Sequence, residues 1–181
     1  MERHLTLIAL FAALIAALGL IPQLTLAFGV PVTAQSLGVM LCGTVLGARR
    51  GALAVGLFVL LVALGLPLLA GGRGGLGVFA SPTAGFVVGF PFAAFVTGLI
   101  TERLRHGPLA LVATVASIFG GIIVLYAFGI TGLALALGKS LGEAAWLVTA
   151  FIPGDLIKAV LAGLITAALA RARPDSVLSR A

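Results

Sequence analysis

The sequence predicts an all-α, polytopic membrane protein of six transmembrane helices, with a glycine-rich outer loop between helices three and four. Three observations carry that prediction. Of the 181 residues, 61% are hydrophobic and only 9% charged, against about 25% charged in soluble domains. Mean hydropathy is +1.28. Apolar runs close to the ~20 residues needed to cross a bilayer core recur along the chain, separated by short basic clusters. The whole chain, 1–181, reads as one membrane domain. Its net charge of +6 does not describe a nucleic-acid surface, because the basic residues punctuate the apolar runs instead of gathering on one face.

The expected spans are about 5–22, 32–48, 52–70, 84–103, 108–128 and 147–170. The first carries Ala9, Ala13 and Ala17 at four-residue spacing, a smooth stripe for close helix packing, either within this chain or against a membrane partner. We expect this run to stay as a span rather than to be cleaved as a signal peptide ending near Ala27. A neutral connection, Gln23 to Thr33, contains Gly29 and Pro31. Arg49, Arg50 and Gly51 end the second span, and Cys42 within it reads as a small packing residue. Pro67 lies near the exit of the third. The fourth holds Pro91, an expected kink, and ends at Glu102, Arg103, Arg105 and His106, the last a solvated loop histidine. The stretch Gly129 to Trp146 reads as a mixed connection, with Lys139 and Glu143 placed to pair at i, i+4 and Trp146 as an interfacial anchor.

Two apparent nucleotide motifs fail. Gly72, Gly74 and Gly77 spell G-x-G-x-x-G, but no strand precedes them and the next acid, Glu102, is too distant. Gly138-Lys139-Ser140 looks like the end of a P-loop, yet Leu133 stands where the motif needs glycine. No ATP site is visible. The glycine-rich segment Gly71 to Gly85 reads instead as a membrane loop able to fold as a re-entrant lid over a cavity.

Counting Lys and Arg by side gives the orientation. Arg3, Arg49, Arg50, Arg103, Arg105, Arg171, Arg173 and Arg180 fall on one side, Arg73 and Lys139 on the other, and Lys158 inside the membrane. The positive-inside rule places both termini in the cytoplasm. Asp155 and Lys158 then stand near the outer end of the last span, behind Pro153 and Gly154. Residues three apart share a helix face, and charges at membrane depth are rare and face an interior or cavity. The pair is either a structural lock or a polar ligand site in an apolar wall. No Ser or Cys lies at helical i±3 or i±4 positions beside it, which argues against an intramembrane enzyme.

The run Gly154-Asp155-Leu156-Ile157-Lys158-Ala159-Val160-Leu161-Ala162-Gly163 resembles the signature of the BioY family, biotin-specific substrate-binding (S) components of energy-coupling factor transporters. Ser81-Pro82-Thr83-Ala84-Gly85-Phe86, Val32-Thr33-Ala34-Gln35-Ser36-Leu37 and Leu46-Gly47-Ala48-Arg49-Arg50-Gly51-Ala52 are similar to that family as well. Arg73 departs from it, putting a charge in a loop expected to be mostly small. The resemblance implies a six-helix protein of the cytoplasmic (inner) membrane that captures biotin from outside, with no cofactor of its own. Its partners would be a transmembrane coupling subunit, docked on the Ala9, Ala13 and Ala17 stripe, and two cytoplasmic ATPases. The implied substrate-binding residues are Asp155 and Lys158, with Arg73, Gly75, Phe79, Thr83, Phe86 and Gln35 around them. Lys158 could meet either the ureido oxygen or the carboxylate of the ligand. Two alternatives stand beside this reading: an S component for another vitamin, and a stand-alone proton-coupled vitamin carrier with Asp155 as the relay acid.

Overall fold

The computed structural model of the chain describes residues 2–25 and 31–180. Its helices form six rods. They are α1 (Glu2–Leu18), α2 (Gln35–Leu46), α3 (Ala48–Ala63), α4 (Ala84–Arg103), a continuous rod of α5 (Leu109–Ile118), a π turn (Phe119–Val124) and α6 (Leu125–Leu137), and a last rod of α7 (Leu141–Val148), a 3-10 turn (Thr149–Phe151) and α8 (Ile152–Ala172). Among the described residues the regular structure is helical except for one minimal antiparallel strand pair in the first connection, Leu24–Thr25 against Pro31–Val32. Gly29 and Ala27 lie outside the described residues. Among the described residues, Ala84–Arg103, Leu109–Leu137 and Leu141–Ala172 are long and apolar enough to cross a membrane, while Gln35–Leu46 is a shorter apolar helix.

Several helix ends differ from the expected span limits, each for a local reason. The second helix starts later than 32 because Pro31–Val32 is strand-paired, and it stops at Leu46 because Gly47 takes φ +83. The third starts directly at Ala48 and ends at Ala63, before Gly65 at φ +106 and Pro67. The fifth continues to Leu137, since nothing breaks it before Gly138 turns left-handed. The presumed connection Gly129 to Trp146 therefore shrinks to Gly138–Ser140. Glu143 does not take Lys139 as an ion-pair partner: its carboxylate accepts from the Ser140 backbone N–H at 2.9 Å, closing a capping box that starts α7. α4 runs unbroken through Pro91. His106 and Trp146 are exposed, and Cys42 is buried.

α8 shows the burial pattern of a membrane helix, with bulk outside and small or polar groups within. On α8 the buried residues are Asp155, Ala159, Ala162, Gly163 and Thr166, while Ile157, Val160, Leu164 and Ile165 face out. α4 is the central post, packed against α2, α3, α5 and α6. Small residues let backbones touch, since lipid-embedded helices associate by close packing rather than by escaping water. A Cβ on Gly98 would come within 2.3 Å of the Gly47 carbonyl carbon and the Ala48 nitrogen, and one on Gly85 within 2.2 Å of the Phe128 carbonyl oxygen.

At the end of the bundle that carries both chain termini, the α2–α3 corner is held by distant groups. The Ala48 N–H donates to Glu102 Oε1 at 3.0 Å, and the Ser179 N–H donates to the Val45 carbonyl at 3.0 Å. The tail residues Val177, Leu178 and Ser179 are buried there.

Gly98→Ala is expected to force α4 off the Gly47–Ala48 backbone and destabilise the protein by about 1–3 kcal/mol. Gly56→Ala, where a Cβ meets nothing within 4 Å, is expected to be neutral or stabilising by up to ~1 kcal/mol. Melting of both variants in detergent checks the contrast.

Candidate functional site

α2, α6 and α8 bring four polar side chains to one point at the end of the bundle away from the termini. Pro153 in the first turn of α8 needs no backbone partner, and Asp155 follows on the face turned inward, only 5% exposed. Its Oδ1 accepts from Lys158 Nζ at 2.9 Å and from Ser36 Oγ at 3.2 Å. Its Oδ2 accepts from the Tyr126 hydroxyl at 2.7 Å. Lys158 Nζ also donates to Ser36 Oγ at 3.0 Å. Among the described residues, Lys158–Asp155 is the one ion pair.

This cluster forms one wall of a partly open cavity of about 560 Å³, counting its mouth. Phe86, Val87, Phe90, Leu125 and Phe151 line it with apolar surface, and Arg73, Thr83 and Gln35 complete it. Phe86 meets Tyr126 and Phe151 edge-on, with centroids 6.4 and 6.0 Å apart.

The loop after α3 is folded rather than loose. Leu69 and Arg73 bridge as a tight antiparallel turn, Gly75 at φ +82 donates to the Val62 carbonyl at 2.8 Å, and a 3-10 turn follows at Leu76–Ala80. Arg73 Nη1 donates to Thr83 Oγ1 at 3.2 Å and Nε to the Ala70 carbonyl at 3.2 Å. Partial burial presses the Arg73 guanidinium below its ordinary value, so a nearby anion would stabilise its charged form.

The residues singled out from sequence separate into three groups. Asp155, Lys158, Arg73, Thr83, Phe86 and Gln35 all line the cavity. Gln35, however, has its amide committed to backbone. Nε2 donates to the carbonyls of Ile15 (3.1 Å) and Leu68 (3.0 Å), and Oε1 accepts from the Ala70 N–H (3.0 Å). It braces the Arg73 loop against α1 and α2. Gly75 and Phe79 are outside the lining; Gly75 shapes the loop, and Phe79 packs on the core. Ala9, Ala13 and Ala17 are exposed, while Phe11, Ala12 and Ile15 on the opposite face are buried, so the stripe is not used for packing inside this chain.

Ser36 and Tyr126 were missed as site residues. A signal existed for each. Ser36 is the second polar residue in a row at the head of an otherwise apolar run, and Tyr126 is the chain's single tyrosine, set within apolar helix.

What the cluster leaves free defines its chemistry. A carboxylate offers about four acceptor directions and an ammonium three donors. Three of the first and two of the second are used. One acceptor direction, on Asp155 Oδ2, and one Lys158 donor remain, able to receive an N–H and to donate to a C=O. Of the three ionised groups in the lining, two are cations and one an anion. The site therefore carries a spare positive charge, at Arg73.

The BioY family matches residues 2–175. The chain belongs to the BioY family. It is 57% identical to the biotin transporter BioY of Rhodobacter capsulatus, over 99% of this chain and 100% of that protein. It is 62% identical to the biotin transporter BioY of Rhizobium etli, over 90% of each. In three dimensions it matches the crystal structure of the S-component for biotin from an ECF-type ABC transporter. That match has a TM-score of 0.89 at 31% identity and covers 94% of this chain and 92% of the other. Family membership and the all-helical architecture thus agree with the resemblance read from the signature around Asp155 and Lys158.

Gln35→Leu is expected to leave the Leu68 carbonyl and the Ala70 N–H without their partner, while the Ile15 carbonyl keeps the Gly19 N–H, and to lower stability by about 2 kcal/mol. A fall in melting temperature with the helical content of the folded state unchanged is the outcome to look for.

Proposed function

We propose that this chain is the biotin-binding S component of an energy-coupling factor transporter, a transport subunit rather than an enzyme. The observation that carries the reading is the cavity's polarity. Its lining combines the Asp155–Lys158 pair, with an acceptor and a donor still open, a second cation, Arg73, that among the described residues has no carboxylate partner, and the aromatic rings of Phe86, Phe90 and Phe151. Biotin has the matching groups: a ureido ring with N–H donors and a carbonyl, an apolar thioether ring, and a chain ending in a carboxylate. Asp155 receives a ureido N–H, Lys158 donates to the ureido oxygen, the rings Phe86, Phe90 and Phe151 flank the thioether ring, and Arg73 takes the carboxylate by charge-assisted hydrogen bonds. The names of the relatives, biotin transporters and the S-component for biotin, support the same ligand.

On this reading the chain is one membrane unit of six spans in the cytoplasmic membrane. Both termini are cytoplasmic, with the cavity opening outward beneath the Gly71–Gly85 loop as its lid. The exposed Ala9, Ala13 and Ala17 face receives the transmembrane coupling subunit, and two cytoplasmic ATPases supply the energy. A proton relay at Asp155 is disfavoured by the three donors that already hold its carboxylate.

Titration of purified protein with biotin, in competition with a panel of other vitamins, tests the ligand; preference for another vitamin would overturn it. Asp155→Ala and Lys158→Ala each leave the other charge unpaired. Each is expected to weaken binding by about 3–5 kcal/mol, more than a hundredfold, without preventing membrane insertion. Arg73→Ala is expected to weaken biotin more than biotinamide, which lacks the carboxylate charge. Ala13→Trp is expected to abolish uptake by the full complex while sparing biotin affinity; joint loss of both would instead indicate an internal packing role.

A further inference from the structure

The rod Leu109–Leu137 contains six residues, Phe119–Val124, wound as a π turn. Such a turn places one more residue in the helix than α winding would, and it changes which side chains face inward. The burial pattern records the change. Along α5 the inward pairs recur every four residues, Val112 and Ala113, then Ala116 and Ser117, and in the π turn the inward set widens to three, Gly120, Gly121 and Ile122, taking in the extra residue. The next inward pair is Leu125 and Tyr126, five residues beyond Gly120 and Gly121, and Gly129 and Leu133 follow at steps of four. A straight α continuation would turn Val124 and Leu125 inward and leave Tyr126 about 100° away from its observed direction.

The turn is seated rather than slack. A Cβ on Gly120 would come within 2.5 Å of the Ala93 carbonyl oxygen, and one on Gly121 within 2.5 Å of the Met40 methyl carbon. These two glycines let the wider turn lie flush against α4 and α2. The buried hydroxyls of Thr97 and Ser117 beside it have no hydrogen-bond partner among the described residues. Beyond the turn, the Tyr126 ring stands edge-on to Phe86, with planes at 80°, and its hydroxyl reaches Asp155 Oδ2.

We propose that Tyr126 is a positioning residue for the Asp155 carboxylate, aimed at it by the π turn at Phe119–Val124. By holding Oδ2, Tyr126 sets the rotation of the carboxylate and so the direction of the acceptor left for ligand. The inference rests on the biotin reading for its affinity readout only.

The experiment uses the full chain in lipid nanodiscs, with two readouts: biotin titration and the infrared carboxylate stretch of Asp155, assigned by its loss in Asp155→Asn. Tyr126→Phe keeps the ring and removes the hydroxyl. It is expected to weaken biotin about tenfold or more and to shift the Asp155 band in the folded protein. Deleting Gly121 removes the extra residue. It is expected to give the same band shift and affinity loss, and adding Tyr126→Phe to it should change neither further. Unchanged affinity and an unchanged band in Tyr126→Phe would overturn the proposal, as would full additivity of the two changes. Should the deletion not fold, Tyr126→Phe alone decides. Failure of the wild-type protein to bind biotin would refute the functional reading, while the carboxylate band would still judge the role of Tyr126.

Discussion

One buried carboxylate ties the cavity end of the bundle together. Asp155 sits on α8, its hydroxyl partners on α2 and α6, and its ammonium partner one turn along its own helix. An isolated charge in this setting would be strongly disfavoured, and the ion pair alone would return only part of that cost. The two hydroxyls supply the rest by hydrogen bonding, and each belongs to a different helix. The chemistry that makes the charge tolerable therefore also sets where three helices meet. The cavity beside Asp155 exists because its polar end is fixed from three directions.

Away from that point the bundle relies on close contact. Glycines and alanines along α2, α4 and the fifth rod bring carbonyl oxygens and backbone nitrogens within reach of the neighbouring helix. The large aliphatic side chains of α8 are turned outward, where lipid tails solvate them as well as a protein core would. This division separates the tasks of the residues. Small ones set distances between rods, large ones match the bilayer, and the few polar ones specify the site.

The architecture was legible because hydropathy reports spans directly and because Asp155 and Lys158 are conspicuous in an apolar helix. Helix ends were less legible. Apolar composition does not distinguish a span from the helix that contains it, so the run after Phe128 and the capping box at Ser140 and Glu143 were read as a connection. In the site, Arg73, Thr83 and Phe86 were within reach because the glycine-rich loop drew attention to its own surroundings. Gln35 was found, but not its bracing role, which depends on carbonyls from Ile15 and Leu68 that no local pattern brings together. Tyr126 was hidden for a geometric reason: its inward direction depends on a π turn, and periodicity counted at 3.6 residues places it elsewhere.

The helix α2 joins the two ends of the molecule. Its first two residues, Gln35 and Ser36, belong to the cavity, and near its last the carbonyl of Val45 is held by Ser179 from the chain's tail. Twelve residues of unbroken helix make a rod about 18 Å long with no glycine–proline joint at which to bend. A pull on the tail would therefore be carried along this rod to the serine whose hydroxyl donates to Asp155 at its far end.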